Sequence, residues 1–499
     1  MSTGDTPRPC DLPTAGSLRR LAATDGAAGA LVAVVGLVAS WAITWAAGRV
    51  GPSPGTVAVV RWWGAFAQVR TDAQWPGITV LVGMGVLTAS WATAMTLAQR
   101  RAWPARRMWL LAACWGSPLA VGPPVLSNDV YSYLGQGLMV LHGHSPYSSG
   151  PNVLGQSALL AAIDPRWRDT PSPYGPLATA VESVAARIGG GSELTAVIVL
   201  RLVAIGSVVA IGILAASLAA PHRPPTMALA LTVANPLLLL QVVGAVHLDG
   251  LMCALILGAL LASRRGHLLT ALVLGCAAAA VKAPALVVVV VIIAMAGADA
   301  SPGPERRRVV ARATGGAAAA LGLLCVLVPD GWGWIAALST PGQADTAWAP
   351  ADLIGVLVHA GVGWIQAPSL VFSTLGRVGS LAIAGCLAWW LLVTVRRRLI
   401  ADTTGGLLLT AALFGPVVYG WYLLWGLLCL APGATPRSRP WIVAATMAGC
   451  LITVPGLSHQ FAISVAVGAG IAAAGFVAVV YGMPPNPSLA RSSSVARSK

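Results

Sequence analysis

Uninterrupted apolar stretches recur along this chain from about residue 27 to residue 481, and they leave few folds open. Crossing about 30 Å of hydrocarbon at about 1.5 Å per residue takes roughly 20 predominantly apolar residues. Backbone groups in lipid need internal partners, so such stretches are expected as helices. They are apolar throughout rather than alternating, unlike the strands of an outer-membrane barrel. Composition agrees: of 499 residues 57% are hydrophobic and 9% charged, too few charges to clothe a soluble chain of this size. The expected fold class is therefore an all-α polytopic membrane protein of about 13 transmembrane helices. Residues 27–481 form its multi-span domain. A polar segment, 1–26, lacks a cleavage site and is expected as a retained cytoplasmic tail, and 482–499 is a basic tail on the same side.

The net charge of +15 sits mainly in short loops and both tails. That is the positive-inside pattern of a membrane protein rather than a nucleic-acid stripe. Arg100, Arg101, Arg106, Arg107, Arg264, Arg265, Arg306 to Arg308, Arg396 to Arg398, Arg437 and Arg439 are read as cytoplasmic. The loop from about 125 to 175 then lies outside, with His247 to Asp249, Lys282, residues 329–352, Tyr419 to Tyr422 and His459. One segment breaks the parity. Residues 176–190 are short and contain Glu182 and Arg187, so they are either re-entrant or a sign of a miscounted helix between 194 and 263. Seven of the eight cysteines fall in apolar segments, as buried hydrophobes, and no spacing suggests zinc or disulfides.

Acids are scarce and mostly lie in tails and outer loops, which favours surface chemistry over ion-coupled transport. The richest segment is SNDVYSYLGQGLMVLHGHSPYSSGP, residues 127–151. Asp129 opens a helix-like run there, either as an N-cap or as a general base beside Tyr131 and Tyr133. Tyr133 falls one turn after Asp129, on the same face. Tyr147 and Tyr174 sit in Pro/Gly-rich turns, and Asp164, Arg166, Trp167, Arg168 and Asp169 form a charged aromatic cluster between them. Sugars stack on Trp and bond to carboxylates, so this cluster is a solvated loop face or a sugar contact. Lys282, one of only two lysines, lies before Pro284 at the end of an apolar run. It either snorkels to the interface or binds a lipid phosphate. His247 and Asp249 in GAVHLDG are expected at the same level, His247 as a structural histidine or a ligand contact. The Trp-rich loop 330–348, with Trp348, and the YGWYLLW cluster with Trp421 and Tyr422 are interface aromatics or stacking surfaces.

In order along residues 125–430, NDVYSY with GHSPY, TPSPYGPL, NPLLLLQVVGAVHLDGLM, VKAPAL, STPG and YGWYLLW resemble a known family. It is the actinobacterial polyprenol-phosphomannose-dependent α-1,6-mannosyltransferases of the GT-C class. The resemblance implies a GT-C bundle in the plasma membrane with its active site on the extracytoplasmic face. It implies a polyprenyl-phosphate sugar donor, an inverting transfer, and the α-1,6-mannan backbone of lipomannan-type glycolipids as acceptor. It places the catalytic Asp of the early outer loop at Asp129, with no nucleotide sugar, cofactor or metal. Consistent with that, no Asp-x-Asp pair occurs in the chain. Lys282 would then offset charge on the departing phosphate, and a second acid, Asp164 or Asp249, is left open. The rivals are an arabinose or glucose transferase using the same carrier, and a lipid-carrier flippase or transporter.

Overall fold

The computed structural model describes residues 15–49, 75–219, 224–340, 369–397, 399–415 and 417–452. Trp348, His459 and the basic tail fall outside this set. All regular structure among the described residues is helical, and the one β-contact is an isolated antiparallel bridge between Tyr174 and Lys282.

Five helices are long and apolar enough to cross a membrane: Gly26–Ala47, Trp75–Arg100, Glu193–Ala219, Pro304–Cys325 and Thr374–Val393. A sixth span forms if the bent pair Pro225–Leu231 and Pro236–Gly244 crosses as one unit. Further apolar helices among the described residues are shorter: Leu268–Val281, Ala283–Asp299, Ile400–Phe414, Gly420–Gly433 and Arg439–Ile452. The outward faces are apolar: Leu202 is 62% exposed and Leu381 65%, as expected for side chains facing lipid. The helix Pro176–Gly189 has 14 residues and spans about 21 Å, short of the hydrocarbon core. It packs on the helix Asp129–Leu141 instead.

The bend in the sixth span is written locally. Asn235 caps a new start: its Oδ1 accepts from the N–H groups of Leu237 and Leu238, at 2.9 and 3.3 Å, and Pro236 takes the first turn. The two halves meet at 47°. Residues Leu239–Gly244 then widen into a π-helical turn before GAVHLDG. Arg201, buried in the helix Glu193–Ala219, gathers the loose ends. Its guanidinium donates to the carbonyls of Ala120, Gly122 and Gly244, where the helix Ala105–Val121 and the π-turn finish. The carbonyls of Ala120 and Gly122 lie at and just past a helix end, so the arginine satisfies them, and the Gly244 carbonyl is shared with the Val125 N–H.

Three helices run between the same two levels. Asp249–Arg264 starts at an acid and ends at Arg264, which bonds the carbonyl of Leu218 at 2.5 Å. Leu268–Val281 starts beside Arg265 and ends at Lys282. The helix after Tyr419 and Trp421 finishes before Arg437 and Arg439, and Arg439 reaches Gln99 beside Arg100. One level of the bundle thus carries arginines. The other carries Asp249, Lys282 and the aromatic cluster.

Two glycines let the segment 125–175 settle on this second level. A Cβ on Gly137 would strike the backbone carbonyl of Glu182, and one on Gly175 would strike that of Ala280. Gly137→Ala and Gly175→Ala are each expected to lower stability in detergent by about 1–3 kcal/mol. Thermal unfolding would check this, with Gly85→Ala, which meets open space, as the neutral control.

Candidate active site

Gly122, Pro123 and Pro124 end the helix Ala105–Val121, and the chain turns back into the helix Asp129–Leu141. Asn128 occupies the cap position, so Asp129 is the first helical residue; its backbone N–H donates to Ser127 Oγ at 3.2 Å. The Asp129 carboxylate lies beside His247 instead, with Oδ2 at 3.5 Å from Nδ1. Asp129 is 22% exposed and the His247 side chain is fully buried, so the carboxylate is the outward member of the pair. Burial, opposed by the carboxylates of Asp129 and Asp249, holds the imidazole below its ordinary range and therefore neutral.

One turn along, Tyr133 reaches the same histidine. Its hydroxyl lies 3.4 Å from His247 Nδ1 and 2.9 Å from the Tyr174 hydroxyl, and the two phenol rings meet edge to face at 5.0 Å. Tyr174 is joined to Lys282 by the β-bridge, and the Gly175 N–H donates to the carbonyl of Val281 at 3.0 Å. The Lys282 ammonium sits over the rings of Tyr174, Tyr422 and Trp425, at 4.9, 4.6 and 5.2 Å from their centroids. It donates to both oxygens of Asp249, at 3.0 and 3.3 Å, and the Trp425 indole N–H donates to the same carboxylate at 2.7 Å. Lys282 therefore does not snorkel. It is buried, charge-paired and held by cation–π contacts.

A column of rings closes the other side. His247 stacks on Trp421 at 4.4 Å, and Trp421 on Tyr419 at 4.4 Å. Tyr419 is half-buried and within electrostatic reach of Arg166, Asp129 and Asp164. Arg166, 54% exposed, pairs with Asp164 at 2.8 Å and lies 5.7 Å over the Trp167 ring. Burial alone would raise the Asp164 carboxyl, but hydrogen bonds from Arg166 outweigh it and hold the acid below its ordinary range. An ionised, paired Asp164 also caps the turn Pro165–Trp167. The loop cluster thus overhangs the lip where Asp129 emerges.

Backbone strain concentrates where the two key side chains are delivered. Val246, just before His247, has φ +63°, and Leu126, upstream of Asp129, has φ +71°. A β-branched residue in that region costs on the order of 1–3 kcal/mol and persists only when its surroundings enforce it. Here the Val125 N–H donates to the Gly244 carbonyl at 3.1 Å and ties the two segments together.

The structure gathers Asp129, Tyr133, Tyr174, His247, Asp249, Lys282, Trp421 and Tyr422, with Asp164 and Trp167 at the rim. Two residues read into this set lie elsewhere. Tyr131, two positions after Asp129, is buried on the Arg201 side of the helix. Tyr147 donates to Thr179 Oγ1 at 3.0 Å and packs with Trp334, Val328 and Cys325. Its loop is pinned there by Ser145, which donates to Asp330 at 2.5 Å. Trp348 is outside the described residues. Trp425 and Tyr419, read as members of the YGWYLLW cluster, and Arg166, read as part of the charged aromatic cluster, belong to the site as well; Trp425 falls one turn beyond Trp421. Glu182 is fully buried, and neither carboxylate oxygen has a hydrogen bond among the described residues.

A partly exposed carboxylate backed by a neutral histidine can take a proton from a hydroxyl at the lip. Stacked aromatic faces beside it suit a sugar ring. Residues 29–298 match the family described as Alpha-(1->6)-mannopyranosyltransferase, N-terminal domain. An alpha-(1->6)-mannopyranosyltransferase of Mycobacterium tuberculosis is 29% identical, over 68% of this chain and 68% of its own. Alpha-(1->6)-mannopyranosyltransferase A of the same organism is 29% identical, over 65% of this chain and 64% of its own. A probable alpha-(1->6)-mannopyranosyltransferase of Mycolicibacterium smegmatis is 30% identical, over 68% of this chain and 66% of its own. The chain therefore spans about two thirds of these relatives' lengths. No solved structure matches it.

The buried pair yields a stability test. Asp249→Asn leaves the Lys282 charge without its partner and is expected to cost about 3–5 kcal/mol. Adding Lys282→Met removes the stranded charge and should recover much of that loss. Unfolding of the single and double variants in detergent measures the coupling; purely additive losses would contradict it.

Proposed function

This chain belongs to the alpha-(1->6)-mannopyranosyltransferase family, and we propose that it transfers mannose from polyprenyl-phosphate mannose to an α-1,6-mannan acceptor, with inversion. The proposal includes a GT-C bundle of about 13 spans, with the site on the extracytoplasmic face of the plasma membrane. One observation carries it. Asp129 stands partly open at the lip of an otherwise buried aromatic pocket, at the end of the bundle opposite Arg264, Arg265 and Arg439. The positive-inside rule puts that end outside, where nucleotide sugars are absent and a lipid-linked sugar can enter from the bilayer.

In this reading Asp129 takes the proton of the acceptor hydroxyl as its oxygen attacks the sugar anomeric carbon. The bond from that carbon to the phosphate oxygen breaks, and the electron pair leaves with the lipid phosphate. In-line displacement on a β-linked donor gives an α-linked product. Charge on the departing phosphate is offset by Arg166 at the rim and by Lys282. Because Asp249 already balances Lys282, the lysine acts chiefly by holding Tyr174, Tyr422 and Trp425 in place, with a smaller electrostatic part. Tyr419, Trp421 and Trp167 offer ring faces to the sugars.

Asp129→Asn keeps the size of the side chain and removes the base. It is expected to lower transfer by at least about a hundredfold with normal membrane insertion. A rate within a few-fold of the parent protein would sink the assignment. Metal independence belongs to the same proposal. Asp129 is backed by His247, Asp249 is committed to Lys282, and a monophosphate leaving group carries less charge than a diphosphate. Transfer by the purified protein is expected to persist in excess EDTA. Activity lost to the chelator and restored by magnesium or manganese would make Asp129 a metal ligand instead.

A further inference from the structure

Several unusual features converge on His247. Its side chain is fully buried, yet Nε2 has no hydrogen-bond partner among the described residues. The residue before it holds a β-branched side chain in the left-handed region, and a π-turn precedes that. Each is individually unfavourable, and together they fix one ring in one orientation. That orientation is set on one face by the stack with Trp421. It aims Nδ1 at two groups, Asp129 Oδ2 at 3.5 Å and the Tyr133 hydroxyl at 3.4 Å. A carboxylate facing a bare imidazole nitrogen would be repelled. The tautomer that suits this neighbour therefore carries its proton on Nδ1 and leaves Nε2 as the unpartnered atom.

We propose that His247 is the positioning residue of the base: its Nδ1–H holds Asp129 Oδ2 and leaves Oδ1 turned to the acceptor hydroxyl. This rests on Asp129 being the base. The 3.5 Å separation is loose for a hydrogen bond, as such contacts often are before substrate binds. In the transfer step the acceptor proton goes to Oδ1, while Oδ2 keeps its bond from Nδ1–H. The histidine stays neutral throughout and never touches the sugar. The Tyr133 hydroxyl is the second group at Nδ1, and it is held in turn by the Tyr174 hydroxyl. The same role has no use for an exposed imidazole, which agrees with its burial.

The test separates positioning from packing through two substitutions. His247→Phe keeps a ring against Trp421 and removes both nitrogens. His247→Asn returns an amide N–H close to the place of Nδ1. With purified full-length protein, polyprenyl-phosphate mannose and a short α-1,6-dimannoside acceptor, His247→Phe is expected to lower kcat about 10–100-fold. KM for the donor should stay within about twofold, and His247→Asn should recover most of the rate. The separation of kcat from KM and the recovery by His247→Asn are readouts that a structural role would not move. A parent-like kcat in His247→Phe, or equal losses in Phe and Asn, overturns the proposal. Asp129→Asn assayed alongside tells the two failures apart: full activity there removes the base itself, not merely its support.

Discussion

The Lys282–Asp249 pair is the interaction on which the site depends. Removing two charges from water costs several kcal/mol per ion, and mutual attraction offsets this only when the remaining bonding capacity is used. Here it is used. Asp249 accepts from the ammonium and from the Trp425 indole, and three ring faces surround the ammonium. The participants come from four places in the chain: the start of one helix, the break between two others, the loop at Tyr174, and the YGWYLLW segment. Satisfying one buried charge therefore requires all four to meet. The β-bridge between Tyr174 and Lys282 is the backbone expression of the same requirement.

What this arrangement leaves open is as informative as what it closes. The deeper polar groups, Tyr133, Tyr174, Asp249 and Lys282, are committed to one another. Asp129 and the Arg166–Asp164 pair face outward, and half-buried Tyr419 ends the ring stack beside them. A reaction at this site must therefore take place at the lip, on a group presented from outside the bundle. A hydroxyl of a long glycan suits such access. So does a phosphate whose lipid tail stays among the apolar outer faces of the helices.

Much of this could be read from the residues, and the failures have physical causes. Apolar runs announce spanning helices because lipid leaves no alternative. The Asp129–Tyr133 spacing announced a shared face because helices repeat every 3.6 residues. The same rule argues against Tyr131, since two positions turn the side chain to the other side, where Arg201 lies. The Pro/Gly turn around Tyr147 reveals stiffness, not direction; the Ser145–Asp330 bond that turns the loop away joins residues 185 apart. The partner of Lys282 was demanded by burial but not identified, because Asp249 lies 33 residues upstream and meets it only through tertiary packing. The short segment 176–190 breaks the charge parity, and it folds as a 14-residue amphipathic helix packed on the helix Asp129–Leu141.

The central claim, that a lipid-linked mannose is transferred at this lip, is tested most directly by a defined reaction. Purified protein would receive an α-1,6-dimannoside acceptor with either polyprenyl-phosphate mannose or GDP-mannose, and the product linkage would be read by NMR. The account predicts a single added α-(1→6)-linked mannose with the lipid donor and none with the nucleotide sugar. Transfer from GDP-mannose, or a β-linked product from the β-linked lipid donor, would contradict it.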